Sequence, residues 1–167
     1  MTTLLRILRL FPLALWAGGE VFFVITAGIS FKVLPDAHTA GMVVRGTLLA
    51  LHRIGMFGGV IYLLATLGLL ALALDRHRIR FVEIALVVIM LVLTVYSQMS
   101  IIPRMETDRL TLGGDVNSAA KDNPARRDFD RLHSRSVDVE GAVLIGCFVL
   151  LGLSTVHERR ELSGAAR

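Results

Sequence analysis

The chain has 167 residues, of which 54% are hydrophobic and 19% are charged, and its mean hydropathy is +0.65. Soluble domains carry about 25% charged residues, and here the charges lie mostly between apolar stretches, which argues against a soluble fold. The net charge of +4 does not indicate a nucleic-acid partner, because basic residues beside membrane segments face lipid headgroups and no basic run is interleaved with aromatic residues.

Four apolar stretches are each about as long as a bilayer is thick: 10–31, 54–74, 81–102 and 137–156. About 20 helical residues, at about 1.5 Å each, cover the roughly 30 Å of hydrocarbon. The pattern therefore predicts an all-α protein of the lipid bilayer, with one membrane domain over residues 1–167. We expect an antiparallel bundle of four transmembrane helices with an extended fourth helix, in the bacterial inner (cytoplasmic) membrane.

The predicted helices follow from the apolar stretches and their flanking residues. We expect helices at about 10–34, 54–74, 81–103 and 124–159. Although Arg6 and Arg9 precede the first apolar run, that run continues to Phe31, so it is interpreted as a retained helix and not as a signal peptide. Between residues 36 and 53, apolar residues set among basic ones suggest a short interfacial helix.

The connections are uneven in length. A short turn at 75–80, rich in arginine, joins the second and third helices as a hairpin, and the only substantial hydrophilic connection covers about 105–123. Asn123 and Pro124 form a helix start, with the asparagine as cap and the proline at the first helical position. Four spans place both termini on one side, and the arginine-rich turn favours the cytoplasmic side.

Ionisable groups inside the spans are the candidates for function, because an isolated charge at that depth costs several kcal/mol. Glu20 lies near the middle of the first helix and Glu140 about one turn into the fourth. Antiparallel packing brings His52 and the end of the third helix to the level of Glu140. The predicted ligand or proton site contains one residue or more from each helix: Glu20, His52, Gln98, His133, Ser136 and Glu140.

Three interpretations of these residues stay open. They can hydrogen-bond one another and fix the helix register, or form a site for a small ligand, an ion or a proton. A third interpretation is heme or copper ligation by His52 and His133, with Met99, Met105 or a carboxylate. Ser136, His133 and Glu140 also form a serine–histidine–carboxylate set, but one helical face offers no oxyanion hole, so hydrolysis is not predicted.

Three segments resemble a known family. The sequence 102–105 (Ile-Pro-Arg-Met), followed after a loop by 129–136 (Phe-Asp-Arg-Leu-His-Ser-Arg-Ser), is similar to the transmembrane protein 205-like family, as is 15–23 in the first helix. Bacterial members of that family carry a domain of unknown function. The resemblance implies four spans and a role in membrane trafficking, export or metal handling, without an enzymatic activity.

Together these features predict a non-enzymatic membrane protein that binds or passes a small solute, ion or proton. Four helices are few for a transporter that works alone, and no inverted repeat is visible. A homo-oligomer or a complex with other membrane subunits is therefore expected. The alternatives are an accessory or structural subunit of such a complex and a heme- or copper-binding membrane protein.

Overall fold

The fold is described by a computed structural model covering residues 2–72 and 79–165, which form helices and, within those ranges, no strand. Five α-helices follow in chain order: α1 (Thr2–Val33), α2 (Ala37–Ala71), α3 (Ile79–Tyr96), α4 (Ile102–Thr111) and α5 (Pro124–Ala165). A π-helix, Ser97–Ile101, joins α3 to α4, and a short 3₁₀ turn, Val116–Ser118, lies before α5.

Four segments in the described part of the chain are long and apolar enough to cross a bilayer: Thr3–Val33, Ala37–Ala71, Ile79–Thr111 and Pro124–Val156. Contacts near the two ends give their directions. The beginning of α1 meets the ends of α2 and α5 and the beginning of α3. The middle of α2 meets the π-helix that follows α3 and the first half of α5. The protein is an all-α bundle of four antiparallel membrane helices.

The interfacial helix predicted between residues 36 and 53 is wrong, because α2 runs without a break from Ala37 through that segment to Ala71. Asp36 caps it: the Asp36 carboxylate accepts hydrogen bonds from the Thr39 backbone amide at 2.7 Å and from the Thr39 hydroxyl at 2.9 Å. The second membrane helix therefore begins at Ala37, well before residue 54, where it was predicted to begin. The predicted turn at 75–80 falls mainly on residues 73–78, which lie outside the described residues.

The helix predicted to end near 103 continues to Thr111, so the connection 105–123 is helical in its first third. The reason is local. Pro103 has no N–H and its ring crowds the carbonyl four residues earlier, but the π-helix just before it widens the turn. At that point the Ile102 N–H donates to the Ser97 carbonyl, five residues back. The proline is accommodated and the helix does not end.

The fourth long helix, α5, starts at Pro124, the position that its Asn-Pro start indicates. The Asn123 side chain accepts from the Ala125 N–H at 2.9 Å. Buried residues on α5 recur at helical spacing from Leu132 to Ser154 and define its inward face. Leu132, Val143 and Leu150 on that face are almost fully buried, so α5 closes the bundle against α1 and α3.

The closest packing in the bundle lies between α1 and α2, around the indole of Trp16, which is 1% exposed. A Cβ added at Gly55 would lie 2.5 Å from the Cε2 and Nε1 atoms of Trp16, and one at Gly59 would lie 2.9 Å from Cζ3. The two glycines of α2 therefore leave room for a large side chain. The pair is a cradle for an indole as well as a point of close helix packing.

Candidate functional site

Polar side chains gather in two buried layers of the bundle, one of which was predicted. The first, called here the histidine cluster, contains Glu20, His52, Ser97, Gln98 and Glu140. The second, called the arginine cluster, contains Arg9, Tyr62, Thr66, Arg80, Glu83 and Ser154. On α5 the two layers are marked by Glu140 and Ser154, which lie about 21 Å apart along the helix axis.

His52 is the centre of the histidine cluster and is 1% exposed. Its Nδ1 lies 2.9 Å from the Gln98 side-chain oxygen and its Nε2 lies 2.9 Å from Glu140 Oε1. The Ser97 hydroxyl donates to the same Glu140 oxygen at 3.0 Å. One imidazole therefore links α2 to the π-helix that follows α3 and to α5.

The two consecutive residues Ser97 and Gln98 contact different neighbours. Ser97 reaches toward Glu140 on α5, whereas Gln98 reaches toward His52 on α2. Both belong to the π-helix, a type of turn that is rare and is found frequently at functional sites. The widened turn that accommodates Pro103 thus also carries two residues of the histidine cluster.

Glu20 supplies the second carboxylate and is 2% exposed. Trp16, one turn earlier, donates its indole N–H to Glu20 Oε1 at 3.0 Å. Glu20 interacts electrostatically with both Glu140 and His52. The glycine cradle of α2 holds Trp16, and Trp16 in turn fixes the orientation of this carboxylate.

The remaining oxygen of Glu140, Oε2, is buried and has no hydrogen-bond partner. Buried polar atoms are nearly always paired with protein or water, so an unpaired carboxylate oxygen calls for an explanation. In this layer it marks a position where a proton or a cation is favoured. The other carboxylate atoms of the cluster that are named above point toward protein donors.

The protonation of the cluster is coupled to the orientation of Gln98. When His52 donates from both nitrogens, it is an imidazolium that faces two oxygens, those of Gln98 and Glu140. A neutral His52 that keeps its proton on Nε2 offers Nδ1 as an acceptor, so the Gln98 amide then has to rotate and donate from its NH₂ group. Loss of the Nδ1 proton of His52 therefore requires movement of one side chain in the π-helix.

The structure does not bring His133 to this cluster, although the sequence predicts it there. His133 is exposed and its ring stacks on Phe129, with a centroid distance of 6.3 Å and an interplanar angle of 5°. The inward face of α5 passes through Leu132, Ser136 and Glu140, which are all buried, and His133 lies one residue to the side. Ser136 is on the inward face, but no hydrogen bond joins it to the cluster.

The proposed metal ligation by His52 and His133 does not fit this arrangement. One histidine is buried with both ring nitrogens occupied by protein oxygens, and the other is exposed. Met99, considered as a further ligand, is 74% exposed. No group of three or more histidine, cysteine or acidic side chains suited to a metal ion occurs among the described residues.

The arginine cluster was not predicted, because a carboxylate near the start of a membrane helix, such as Glu83, needs no functional explanation. Glu83 is 0% exposed, and its Oε2 accepts from Arg9 at 2.9 Å and from Arg80 at 2.8 Å. The i,i+3 spacing of Arg80 and Glu83 was the available signal. Arg9, however, comes from α1 and is fully buried.

Hydroxyl groups complete the arginine cluster. Arg9 donates to Thr66 Oγ1 and to Tyr62 Oη, each at 3.0 Å, and its guanidinium lies 5.1 Å from the centre of the Tyr62 ring. Ser154 lies 2.9 Å from Tyr62 Oη, so α5 is included. This layer ties all four spans together, and its paired charges fit a structural role.

An apolar layer separates the two polar clusters. Val143, Cys147 and Leu150 of α5 are each 0% exposed, and Val87 and Met90 of α3 are equally well buried beside them. Cys147 is the single cysteine of the chain, so no intrachain disulfide forms. No water-filled path is expected through such packing, and the histidine cluster is separated from the arginine cluster.

Comparison with known proteins gives a family and no activity. A search of curated proteins and a search of solved structures each found no match to this chain. A family model described as "Domain of unknown function (DUF4149)" matches residues 11–109, which include Glu20, His52 and Gln98 but not Glu140. Nothing in that match names the transmembrane protein 205-like family. Because more than half of the chain is covered, the protein belongs to the DUF4149 family of unknown function.

Proposed function

We propose that this membrane protein binds and exchanges a proton at the histidine cluster. The observation that carries the proposal is the buried, unpartnered Oε2 of Glu140, which lies on a carboxylate already bound to His52 and Ser97. A proton needs one acceptor atom, whereas a metal cation needs several ligands around it. A single free oxygen therefore favours a proton.

The charge of the cluster supports the same conclusion. With both carboxylates ionised and His52 protonated, the two negative charges of Glu20 and Glu140 exceed the positive charge by one. An uncompensated charge in this environment is costly, and one further proton removes it. That proton is taken up by a carboxylate while His52 stays an imidazolium, so Gln98 keeps its orientation; the Gln98 amide rotates only when His52 loses its Nδ1 proton.

Passage of a proton across the membrane is not a property that we assign to one isolated chain. The layer of Val143, Cys147 and Leu150 is apolar apart from the Cys147 thiol, and the nearby Thr94 hydroxyl is bound to the Met90 carbonyl, so the described residues form no continuous polar path between the clusters. We propose that the chain works in a homo-oligomer or with other membrane subunits, so that a path forms beside this bundle. The same assembly would suit an accessory subunit whose proton site regulates its partner.

The proposal includes a cellular role. The resemblance to the transmembrane protein 205-like family supports a role in export or trafficking, and proton binding would supply the driving force for it.

The proposal also includes a location and an orientation. We propose that the protein lies in the bacterial inner membrane and that its termini are cytoplasmic, because the arginine-rich turn at 75–80 favours the cytoplasmic side. A reporter fused after residue 167 tests the orientation: alkaline phosphatase activity there in intact cells would contradict it, and cytoplasmic fluorescence of a green fluorescent protein fusion would support it.

The proton site is tested through Trp16, which is the only tryptophan in the chain and donates to Glu20. In liposomes, Trp16 emission should change with pH as the cluster titrates. Glu140→Gln and Glu20→Gln should each shift or remove that titration. Glu106→Gln is the matched control, because Glu106 pairs with Arg109 on α4, away from the cluster.

The outcomes separate the alternatives. An unchanged pH titration in both Glu140→Gln and Glu20→Gln would overturn the proposal, provided that both variants elute as folded protein. A titration that moves with sodium concentration at constant ionic strength would replace the proton by a small cation. The assembly is tested separately by mass measurement in mild detergent, where recovery as a lone monomer would argue against an oligomer or complex.

A further inference from the structure

Arg53 is an exposed cation deep within the apolar surface of the bundle. Leu51, two residues before it on α2, lies against Gly19, which is near the middle of α1. Exposed Ile29 continues the apolar surface of α1 to about 15 Å beyond Gly19. The arginine side chain is shorter than that distance, so its charge stays within the apolar region. Its guanidinium makes no hydrogen bond or ion pair with any residue that the structure describes, and a charge at such a depth is costly without a partner.

Asp138 carries the matching negative charge. It is the one exposed carboxylate within the described parts of the four apolar stretches. Asp138 and buried Glu140 are about 200° apart around α5, so Asp138 faces away from the histidine cluster. No hydrogen bond or ion pair joins the Asp138 side chain to the described chain. The apolar surface of the bundle thus carries two opposite charges that lack partners of their own.

The two charges do not meet within one chain. The helices α2 and α5 each pack against α1 and α3, so they lie at opposite corners of the bundle. Arg53 and Asp138 are both exposed and therefore point outward from those corners. The partner of each charge has to come from outside the chain.

The two charges lie at nearly the same depth. Because α2 and α5 run in the same direction, the contact between His52 and Glu140 puts each residue of α2 level with the residue of α5 numbered 88 higher. Asp138 is therefore level with Ala50, and Arg53 lies three residues deeper, about 4.5 Å along the axis. Helix side chains lean toward the N-terminus of their helix, and the longer arginine side chain closes this offset.

Small residues adjoin each charge on the outer surface. On α2, Gly46 and Ala50 are exposed on the same face as Arg53, and on α5 exposed Ala142 lies one turn after Asp138. A Cβ added at Gly46 would meet no atom within 4 Å. Small residues let membrane helices approach closely, so α2 of one chain and α5 of another can pack side by side with their charges in contact.

We propose that the α2 face around Arg53 binds the α5 face around Asp138 of a second copy of this chain. The ion pair removes the cost of both charges in the bilayer. Because the two faces differ, the contact is head to tail and repeats from copy to copy. The inference rests on the assembly proposed above and names its partner, and it places the interface one residue from His52 and two residues from Glu140.

The test measures association of the whole protein in liposomes. Energy transfer between donor-labelled and acceptor-labelled chains is followed as the ratio of lipid to protein rises. Arg53→Glu and Asp138→Lys should each weaken the association of the wild-type chain about tenfold or more, because each variant sets like charges opposite each other. The double variant with both changes restores opposite charges, so it should associate about as strongly as the wild type.

The matched control for a reversed charge is Arg127→Glu. Arg127 is exposed on α5, roughly 16 Å from Asp138 and outside the apolar stretch, so its reversal should leave association unchanged. Undiminished association in both single variants would overturn the proposal, as would a monomeric wild-type chain. Trp16 emission is titrated in the same liposomes: a wild-type titration in an Arg53→Glu variant that no longer associates would support the interface and leave the proton site intact.

Disulfide cross-linking decides the question if the charge variants do not fold. Gly46 is level with Ser134, and both are exposed. A Gly46→Cys chain mixed with a Ser134→Cys chain should form a linked dimer under mild oxidation, whereas neither variant alone should do so. Cys147 is buried and does not compete. A mixture that links no better than the separate variants would contradict the contact between α2 and α5.

Discussion

The cradle around Trp16 gives a sharp test of the packing argument through the change Gly55→Ala. The added methyl would lie 2.5 Å from two indole atoms, where ordinary contacts are about 3.5–4 Å. The indole, at 1% exposure, has no free space beside it, and it must move by about 1 Å or more. Such overpacking costs typically 1–3 kcal/mol.

The same movement affects the hydrogen bond between Trp16 and Glu20. A displacement of that size lengthens the 3.0 Å contact beyond hydrogen-bond range, and leaving a buried acceptor unpaired adds roughly 1–3 kcal/mol. The gain in helix propensity from glycine to alanine offsets about 1 kcal/mol. We therefore expect a net destabilisation of roughly 1–5 kcal/mol.

Gly18→Ala is the control for this change. Gly18 lies on α1 near the same layer, and a Cβ there would meet no atom within 4 Å. Thermal unfolding in mild detergent, followed by Trp16 emission, should show a lower midpoint and shifted emission for Gly55→Ala. Gly18→Ala should match or exceed the wild-type midpoint. A Gly55→Ala protein with wild-type stability and unshifted emission would refute the conclusion that the indole of Trp16 needs a glycine at position 55.

Three further predictions concern other parts of the bundle. Glu83→Ala should cost about 3–5 kcal/mol in a denaturant titration, because it leaves buried Arg9 and Arg80 without their shared carboxylate; a loss under 1 kcal/mol would contradict the structural role of that layer. The hydrogen bonds from Thr39 lower the pKa of Asp36, so its stabilisation of α2 is present above the ordinary aspartate pKa and is lost as pH falls through the lowered value. Asp36→Ala should remove this pH dependence of the unfolding midpoint, and an identical acid profile in the variant would rule the cap out as its source. Cys147, at 0% exposure, should react with a maleimide only on unfolding, and rapid labelling of the native protein would show that the apolar layer is open.

The sequence was sufficient for the four spans because each one is a long apolar run bounded by charge. It was also sufficient to place His52, Gln98 and Glu140 near one another, since antiparallel helices of known length bring those positions to one level. The prediction for His133 assigned it to the wrong face of its helix. Adjacent residues on a helix differ by about 100°, so choosing His133 instead of Leu132 for the inward face was enough to misplace it.

Two other features could not be derived from local pattern. The continuity of α3 and α4 past Pro103 depends on a π-turn, which sequence periodicity does not encode. The burial of Arg9 depends on Thr66, Glu83 and Ser154, which come from three other helices. An arginine near the start of an apolar run is normally interpreted as a headgroup contact, and only the assembled bundle shows its partners.

The position of Arg9 has a consequence for biogenesis. Glu83 and Ser154, which bind this guanidinium, belong to helices that are synthesised after the first two. Until α3 and α5 arrive, Arg9 lacks these partners and is favoured at the bilayer surface. The final insertion depth of the first helix is therefore set only when α5 packs against it.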